Sequence, residues 1–338
     1  MAIVSGGGLS DVVRWGVLGT GSIARTFTRD LALARAGQVV AVGSRTLAGA
    51  AAFAHEFNVS RAYGSYEALV GDPDVDVVYV ATPHPFHHDN ARLALTANKH
   101  VLVEKPFTVT AAQARDLVER ARASDLFLME AMWTRFLPHV VAIRDILARG
   151  DLGTIVAVEA DHGQWFEDDP TSRLFAPELG GGALLDLGVY PVSFASMVLG
   201  TPSRVSALVT PASTGVDAQT SMLFGYDGGA QAILTCTSRA RSATRASIVG
   251  TDARLDVEGD FYAPSSFDVV TRHGVRTRHD FVTRGRGLHY EAAEVTRCVL
   301  DGRRESAAMP LDESVAIVAT LERVLASSVR SATRDGGL

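Results

Sequence analysis

The chain predicts an α/β fold: a parallel sheet covered by helices on both faces, then a unit built on an antiparallel sheet. Three observations carry this. Over the first 130 residues, short apolar runs alternate with helical patterns, as in doubly wound sheets. A Gly-rich turn, Gly19-Thr20-Gly21-Ser22-Ile23-Ala24, joins the first such run to the first such pattern. Beyond residue 150 the rhythm changes to closely spaced runs with partial period-two alternation, separated by tight-turn residues.

Residues 12–18 form a near-continuous apolar run, the pattern of a buried strand, and lead straight into the Gly-rich turn. Residues 22–34 read as a helix, 38–44 as a strand, 47–57 as a helix, 75–81 as a strand and 85–97 as a helix. A strand at 100–104, a helix at 111–123 and a strand at 126–129 complete the first unit. A helix is expected at 137–149 and a strand at 155–160. A long irregular stretch at 162–180 carries Trp165, Phe166, Pro170 and Pro177. A helix at 183–198 follows. Further strands are expected at 205–209, 219–226, 231–237, 246–249, 255–258 and 267–270, with turns at Asp227-Gly228-Gly229 and Gly250-Thr251-Asp252. Amphipathic helices near 288–301 and 311–330 close the chain. The change of rhythm puts a boundary near 130–136, giving units at 11–132 and 133–332 with no internal repeat.

A length of 338 residues allows one large or two moderate domains with a full core. The hydrophobic share of 47% and charged share of 21% are those of a globular enzyme. Net charge is −6 without a basic block, which argues against a nucleic-acid partner. Cys236 and Cys298 lack metal-like spacing and read as reduced core thiols of a cytoplasmic protein. Residues 1–10 lack the basic region and apolar run of a signal peptide and read as a frayed, glycine-rich tail. No stretch approaches the roughly 18–20 uninterrupted apolar residues of a membrane span.

The Gly-rich turn follows a strand and opens a helix, where backbone amides cradle a pyrophosphate. The assignment rests on this context, since such turns also occur for structural reasons alone. The second strand ends Val42-Gly43-Ser44-Arg45, where a site selective for NAD usually has an acidic residue. Ser44 and Arg45 instead favour the 2′-phosphate of NADP, with NAD still possible; the plainer reading is a solvated loop arginine. Thr82-Pro83-His84-Pro85-Phe86-His87-His88 lies at the carboxyl end of a strand, where ligands sit. Pro85 denies the histidines a common helical face, and no cysteine or carboxylate joins them, so no metal is expected. A cofactor-side contact by Thr82, Pro83 and His87 is expected instead.

Glu104-Lys105-Pro106 ends another strand on that edge, and Pro106 restricts Lys105 to an extended conformation. On spacing alone, Lys105 also reads as an exposed surface lysine. In Gly180-Gly181-Gly182-Ala183-Leu184-Leu185-Asp186-Leu187-Gly188-Val189-Tyr190, Asp186 and Tyr190 are spaced i, i+4 and share a helix face. A carboxylate and a phenol aimed together, with a lysine from another segment, can move a proton. With a nucleotide in the Gly-rich turn, the set suggests hydride transfer at an alcohol carbon. Trp133 and Arg135 at the domain junction, and Trp165, Phe166 and Arg173 in the irregular stretch, either wall a substrate cleft or simply join the domains.

Together these motifs resemble the glucose-fructose oxidoreductase / inositol dehydrogenase (Gfo/Idh/MocA) family. Glu130-Ala131-Met132-Trp133-Thr134-Arg135-Phe136-Leu137-Pro138, Ser172-Arg173-Leu174-Phe175 and Met309-Pro310-Leu311-Asp312-Glu313-Ser314 are similar to its branch of dimeric dihydrodiol and D-xylose dehydrogenases. The resemblance implies a Rossmann domain followed by an α/β domain with an open, mostly antiparallel sheet. It also implies that Lys105, Asp186 and Tyr190 converge on the nicotinamide, with Glu104 on the cofactor side. Many members carry His in place of Tyr190, so inositol specificity does not transfer. The expected activity is NAD(P)-dependent oxidation of a CH–OH group on a sugar or cyclic diol, by a homodimer or homotetramer. A silent Rossmann protein that senses a dinucleotide or a sugar is the alternative; retention of all three proton-handling residues argues against it.

Overall fold

The structure, a computed structural model, describes residues 12–33 and 37–330. The expected tail at 1–10, the last residue of the helix expected at 22–34, and the outermost residues of the two expected units lie outside the described residues.

Near-continuous apolar runs need cover on both faces, and they receive it in a six-stranded parallel sheet. Its strands are Val13–Leu18 (β1), Gly37–Gly43 (β2), Arg61–Tyr63 (β3), Val77–Val80 (β4), His100–Glu104 (β5) and Leu128–Ala131 (β6), in the order β3-β2-β1-β4-β5-β6. The order reverses between β1 and β4, which opens a crevice at the carboxyl ends of those strands. β3 and the short helix Tyr66–Val70 were not expected. All three β3 residues are half-buried, so no apolar run marks them. Helix starts follow local chemistry: Thr110 and Gln113 form a capping box before Ala111–Ala123, and Thr46 caps Leu47–Phe57.

The second sheet has nine strands among the described residues: Ile155–Gly163 (β7), Arg204–Pro211 (β8), Asp217–Gly225 (β9), Gln231–Thr237 (β10), Ala246–Gly250 (β11), Ala253–Val257 (β12), Phe267–Thr271 (β13), Arg276–His279 (β14) and Ser328–Arg330 (β15). Their order is β14-β13-β12-β11-β7-β10-β9-β8-β15. Pairing is antiparallel except for β7 with β10 and β8 with β15. β14 was not expected, because its Arg-Thr-Arg-His sequence carries no apolar face. The last helix ends at Ser327, short of the expected 330: Ser327 and Ser328 hydroxyls bond back to the Val324 and Leu325 carbonyls, and β15 then pairs with β8.

One face of this sheet buries Met222, Phe224, Ala232 and Leu234. The other leaves Leu208, Leu223 and Ile233 half-exposed, with Leu223 and Ile233 directly paired across β9 and β10. The chain then returns to the first sheet. Leu311 and Val318 of helix Leu311–Ser327 join its core, and Glu322 accepts a bond from the Ala111 backbone N–H at 3.1 Å. Pro177–Leu199 is long and apolar enough to cross a membrane by length and composition, but 78% of its apolar 18-residue window is buried inside the protein. Its apolarity is that of a core helix.

Candidate active site

Gly19 directly follows β1 with φ +108°, which a side chain rarely tolerates, and a Cβ there would come within 2.7 Å of the Ala81 carbonyl oxygen. A Cβ on Gly21 would meet nothing within 4 Å, so bare backbone faces open space. Helix Ser22–Leu31 starts with no side-chain cap, which leaves its first N–H groups pointing at that space. Thr20, Ser22 and Ile23 line a cleft of about 950 Å³ that begins here and runs between the sheets. Ser44 and Arg45 line it beside Tyr66, at the carboxyl end of β2. Arg45 has no ion-pair partner among the described residues. These residues fit a dinucleotide: an amide cradle for the pyrophosphate, and a hydroxyl and a guanidinium where a ribose substituent would lie.

Loops at the carboxyl ends of β4 and β5 form the middle of the cleft. Thr82 and Pro83 line it, and Asn90 donates to the Thr82 hydroxyl at 3.1 Å. His87 is fully buried with ring nitrogens 2.8 Å from the Pro106 and Thr82 carbonyl oxygens. The ring thus sits between the two loops, and its single N–H in the neutral form donates to one of these carbonyls. Burial pushes its imidazole down to about 4, against the pull of those carbonyls. His88 faces Asp116 and Asp89 instead, and no group of three metal-ligating side chains occurs among the described residues. Glu104 is buried, accepts from the Tyr79 hydroxyl and accepts from the Lys105 backbone N–H at 3.1 Å.

Lys105 extends from this loop to the second unit. Its Nζ donates to the Asp186 carbonyl at 2.7 Å and to the Asp186 carboxylate at 3.0 Å, and lies 4.9 Å from the centre of the Tyr190 ring. The helix expected at 183–198 is divided: Leu184–Gly188 is a π-helical turn and Val189–Leu199 the α-helix. The wider turn presents two carbonyls sideways, that of Asp186 to Lys105 and that of Leu187 to His162 Nδ1 at 3.1 Å. Burial disfavours the Lys105 ammonium, but Asp186 and Tyr190 outweigh it and hold the group above the ordinary lysine range. Burial likewise opposes the Asp186 carboxylate, and Lys105 and Arg173 overcome it, keeping it well below the usual range. The Tyr190 phenol is pushed up to about 12 by burial, moderated by Lys105 and by the Trp133 indole N–H that donates to its oxygen at 3.1 Å.

Trp133, Phe166 and Arg173 line the same end of the cleft. Arg173 donates to Asp186 at 3.2 Å and to His84 Nε2 at 3.1 Å. Two residues expected at the substrate lie elsewhere. Arg135 is 3% exposed, and its guanidinium bonds Ser193 and Glu313, joining helices behind the cleft. Trp165 is 68% exposed and forms a bridge with Arg239 outside the lining. His84, weighed above only as a metal ligand, and His162, Gln164, Tyr262 and Arg286, which no motif marks, also line the cleft. His162 stacks on Tyr262 at 4.2 Å, and Tyr262 lies 4.8 Å from the Tyr190 ring. Only the proximity of His84 to Pro83 gave a local signal; the others sit in strands or loops without a motif.

The sequence matches the GFO/IDH/MocA oxidoreductase family description with NAD-binding Rossmann fold over residues 13–132, and the GFO/IDH/MocA C-terminal domain over 140–256. It is 39% identical over 322 residues to the trans-1,2-dihydrobenzene-1,2-diol dehydrogenase of Sus scrofa, covering 92% of this chain and 96% of that one. The Danio rerio enzyme of the same name is 40% identical over 307 residues, covering 88% and 91%. A 3-ketoreductase of Actinomadura kijaniata, solved with NADP and TDP-benzene, superposes with a TM-score of 0.83 at 27% identity, over 94% of this chain and 98% of that one. A levoglucosan dehydrogenase in complex with NADH shares the fold, with a TM-score of 0.86 at 18% identity over 94% and 96% of the chains. The chain thus belongs to the GFO/IDH/MocA family and is an NAD(P)-binding oxidoreductase.

Proposed function

We propose that the protein reversibly oxidises a CH–OH group of a sugar or cyclic diol, with NADP preferred over NAD. One arrangement carries this reading: the Lys105 ammonium, pinned by the carboxylate and carbonyl of Asp186, lies beside the Tyr190 phenol in the cleft that begins at the Gly-rich turn. A bound nicotinamide supplies the hydride acceptor or donor. Lys105 holds the substrate hydroxyl, Tyr190 exchanges its proton, and Asp186 keeps the ammonium aimed. Trp133, Phe166 and Arg173 position the substrate; Thr82, Pro83 and Glu104 support the cofactor side, and His87 braces it. The activities named for the dihydrodiol dehydrogenase relatives support the substrate class. A silent sensor would have no use for a paired lysine and carboxylate beside a phenol.

The NADP preference rests on Ser44 and Arg45: a serine donor and a permanently charged planar guanidinium suit a phosphate, where an acidic residue would repel it. Arg45→Ala should weaken NADP far more than NAD, and Ser44→Asp should move preference towards NAD. Steady-state kinetics with both cofactors tests this, and equal loss for both, or a wild-type kcat/KM favouring NAD, overturns it. In this reading residues 11–132 bind the cofactor, while 133–332 bind substrate and assemble a homodimer or homotetramer in the cytoplasm.

A further inference from the structure

Four cationic side chains line the cleft: Arg45, Lys105, Arg173 and Arg286. Lys105 and Arg173 share the Asp186 carboxylate, so two guanidiniums remain without an ion-pair partner among the described residues. Arg45 has a role at the adenosine ribose. Arg286 stands at the reacting end, 5.9 Å from the centre of the Trp133 ring, whose N–H bonds Tyr190. It also lies near enough to Tyr262 for its charge to favour the ionised phenol there. Both of its aromatic neighbours flank Tyr190.

The loop that carries Arg286 is held firmly. Asp30, 4% exposed on helix Ser22–Leu31, accepts from the backbone N–H groups of Arg286, Gly287 and Leu288 at 3.2, 2.7 and 2.9 Å. These bonds cap helix Leu288–Leu300 and fix where residue 286 leaves the backbone. Its guanidinium makes no hydrogen bond of its own among the described residues. A fixed backbone thus presents a free, planar, permanently charged fork towards the substrate end of the cleft.

Resting on the dehydrogenase reading above, we propose that Arg286 binds a carboxylate or phosphate on the substrate, so that the natural substrate is an anionic sugar or cyclic polyol rather than a neutral one. Trp133 stands between the two groups, its ring under Arg286 and its N–H on the Tyr190 oxygen. The cofactor pyrophosphate is the less suitable partner, because its cradle at Gly19–Ser22 is served by backbone amides while Arg286 stands beside Trp133 and Tyr262.

The test is isothermal titration of the protein–NADP complex with matched pairs: glucose and glucuronate, galactose and galacturonate, glucose and glucose 6-phosphate. The expected result is tighter binding of at least one anionic member by about 10–100-fold, the range of a charge-assisted pair. Arg286→Ala should abolish that advantage while leaving the affinity for neutral members and for NADP unchanged, and Arg286→Lys should restore part of it. Equal or unmeasurable affinity within every pair overturns the proposal. So does an Arg286→Ala variant that loses NADP affinity alone, which would assign the guanidinium to the pyrophosphate. Titration reads binding without turnover, so anion binding through Arg286 with no turnover of any sugar or diol in a panel contradicts the dehydrogenase reading and not the anion site.

Discussion

At the scale of single residues, proton transfer is governed by what surrounds Tyr190. Burial holds its phenol at about 12, so it is protonated in the resting protein. Asp186 holds Lys105 above its ordinary range, and Lys105 holds Asp186 below its own, so neither titrates between about pH 5 and 10. Alcohol oxidation requires Tyr190 to receive a proton, which favours the ionised phenol; carbonyl reduction requires the protonated one. The kcat for oxidation should therefore rise with pH from 6 towards 10, while that for reduction stays flat over the same range. Stopped-flow absorbance in both directions checks this, and an oxidation rate that falls with rising pH contradicts the assignment. Ser44 and Arg45 show how far a motif reads: their place at the end of a strand put them in the lining of the cleft, where the structure has them. Arg135 was not, since an arginine beside an aromatic looks the same in a cleft wall and in a buried helix junction. Its partners, Ser193 and Glu313, lie far along the chain.

At the scale of elements, the π-helical turn Leu184–Gly188 sets the site. It is entered through Gly182, with φ +120°, packed against the Asp217 carboxylate of β9. Asp217 also accepts from the Leu184 backbone N–H at 2.6 Å. Asp217→Ala would leave that buried N–H unbonded at a cost of about 1–3 kcal/mol and would loosen the turn that aims Asp186. Asp217→Asn keeps an acceptor and should lose less, as chemical denaturation of both variants would show. Burial raises the Asp217 carboxyl to about 7, so the native state keeps a proton that the unfolded chain releases near pH 4. Its contribution is fully present below about pH 4 and is lost as pH rises through about 7. Wild type should therefore fall in stability relative to Asp217→Asn between pH 5 and 8. The pattern at 183–198 correctly indicated one helical segment with Asp186 and Tyr190 on one side. It could not show the π turn, because the apolar pattern hardly differs and the cause lies in bonds from Lys105, His162 and Asp217 on other segments. β3, β14 and β15 were missed for a related reason: sheet partners, and no apolar alternation of their own, make them strands.

At the scale of the whole molecule, the parallel sheet and the change of architecture were legible, because both follow from which faces each run must bury. The return of helix Leu311–Ser327 to the first sheet was not, since an amphipathic helix does not name the surface it covers. The second sheet leaves Leu208, Leu223 and Ile233 half-exposed on one face, as expected of a surface covered by a second copy. Leu223→Glu combined with Ile233→Glu should convert the proposed oligomer to a folded monomer of 35.9 kDa in light scattering. A wild-type protein already at that mass at micromolar concentration contradicts the assembly. The central claim is that Tyr190, beside a lysine pinned by Asp186, exchanges the proton while the carbinol carbon exchanges hydride. The most direct measurement is single-turnover nicotinamide absorbance with NADP and a panel of sugars and diols, for wild type and Tyr190→Phe. The account predicts turnover by wild type, and a loss of about 10²–10⁴-fold in the variant with cofactor affinity unchanged. Near-normal turnover by Tyr190→Phe would contradict it.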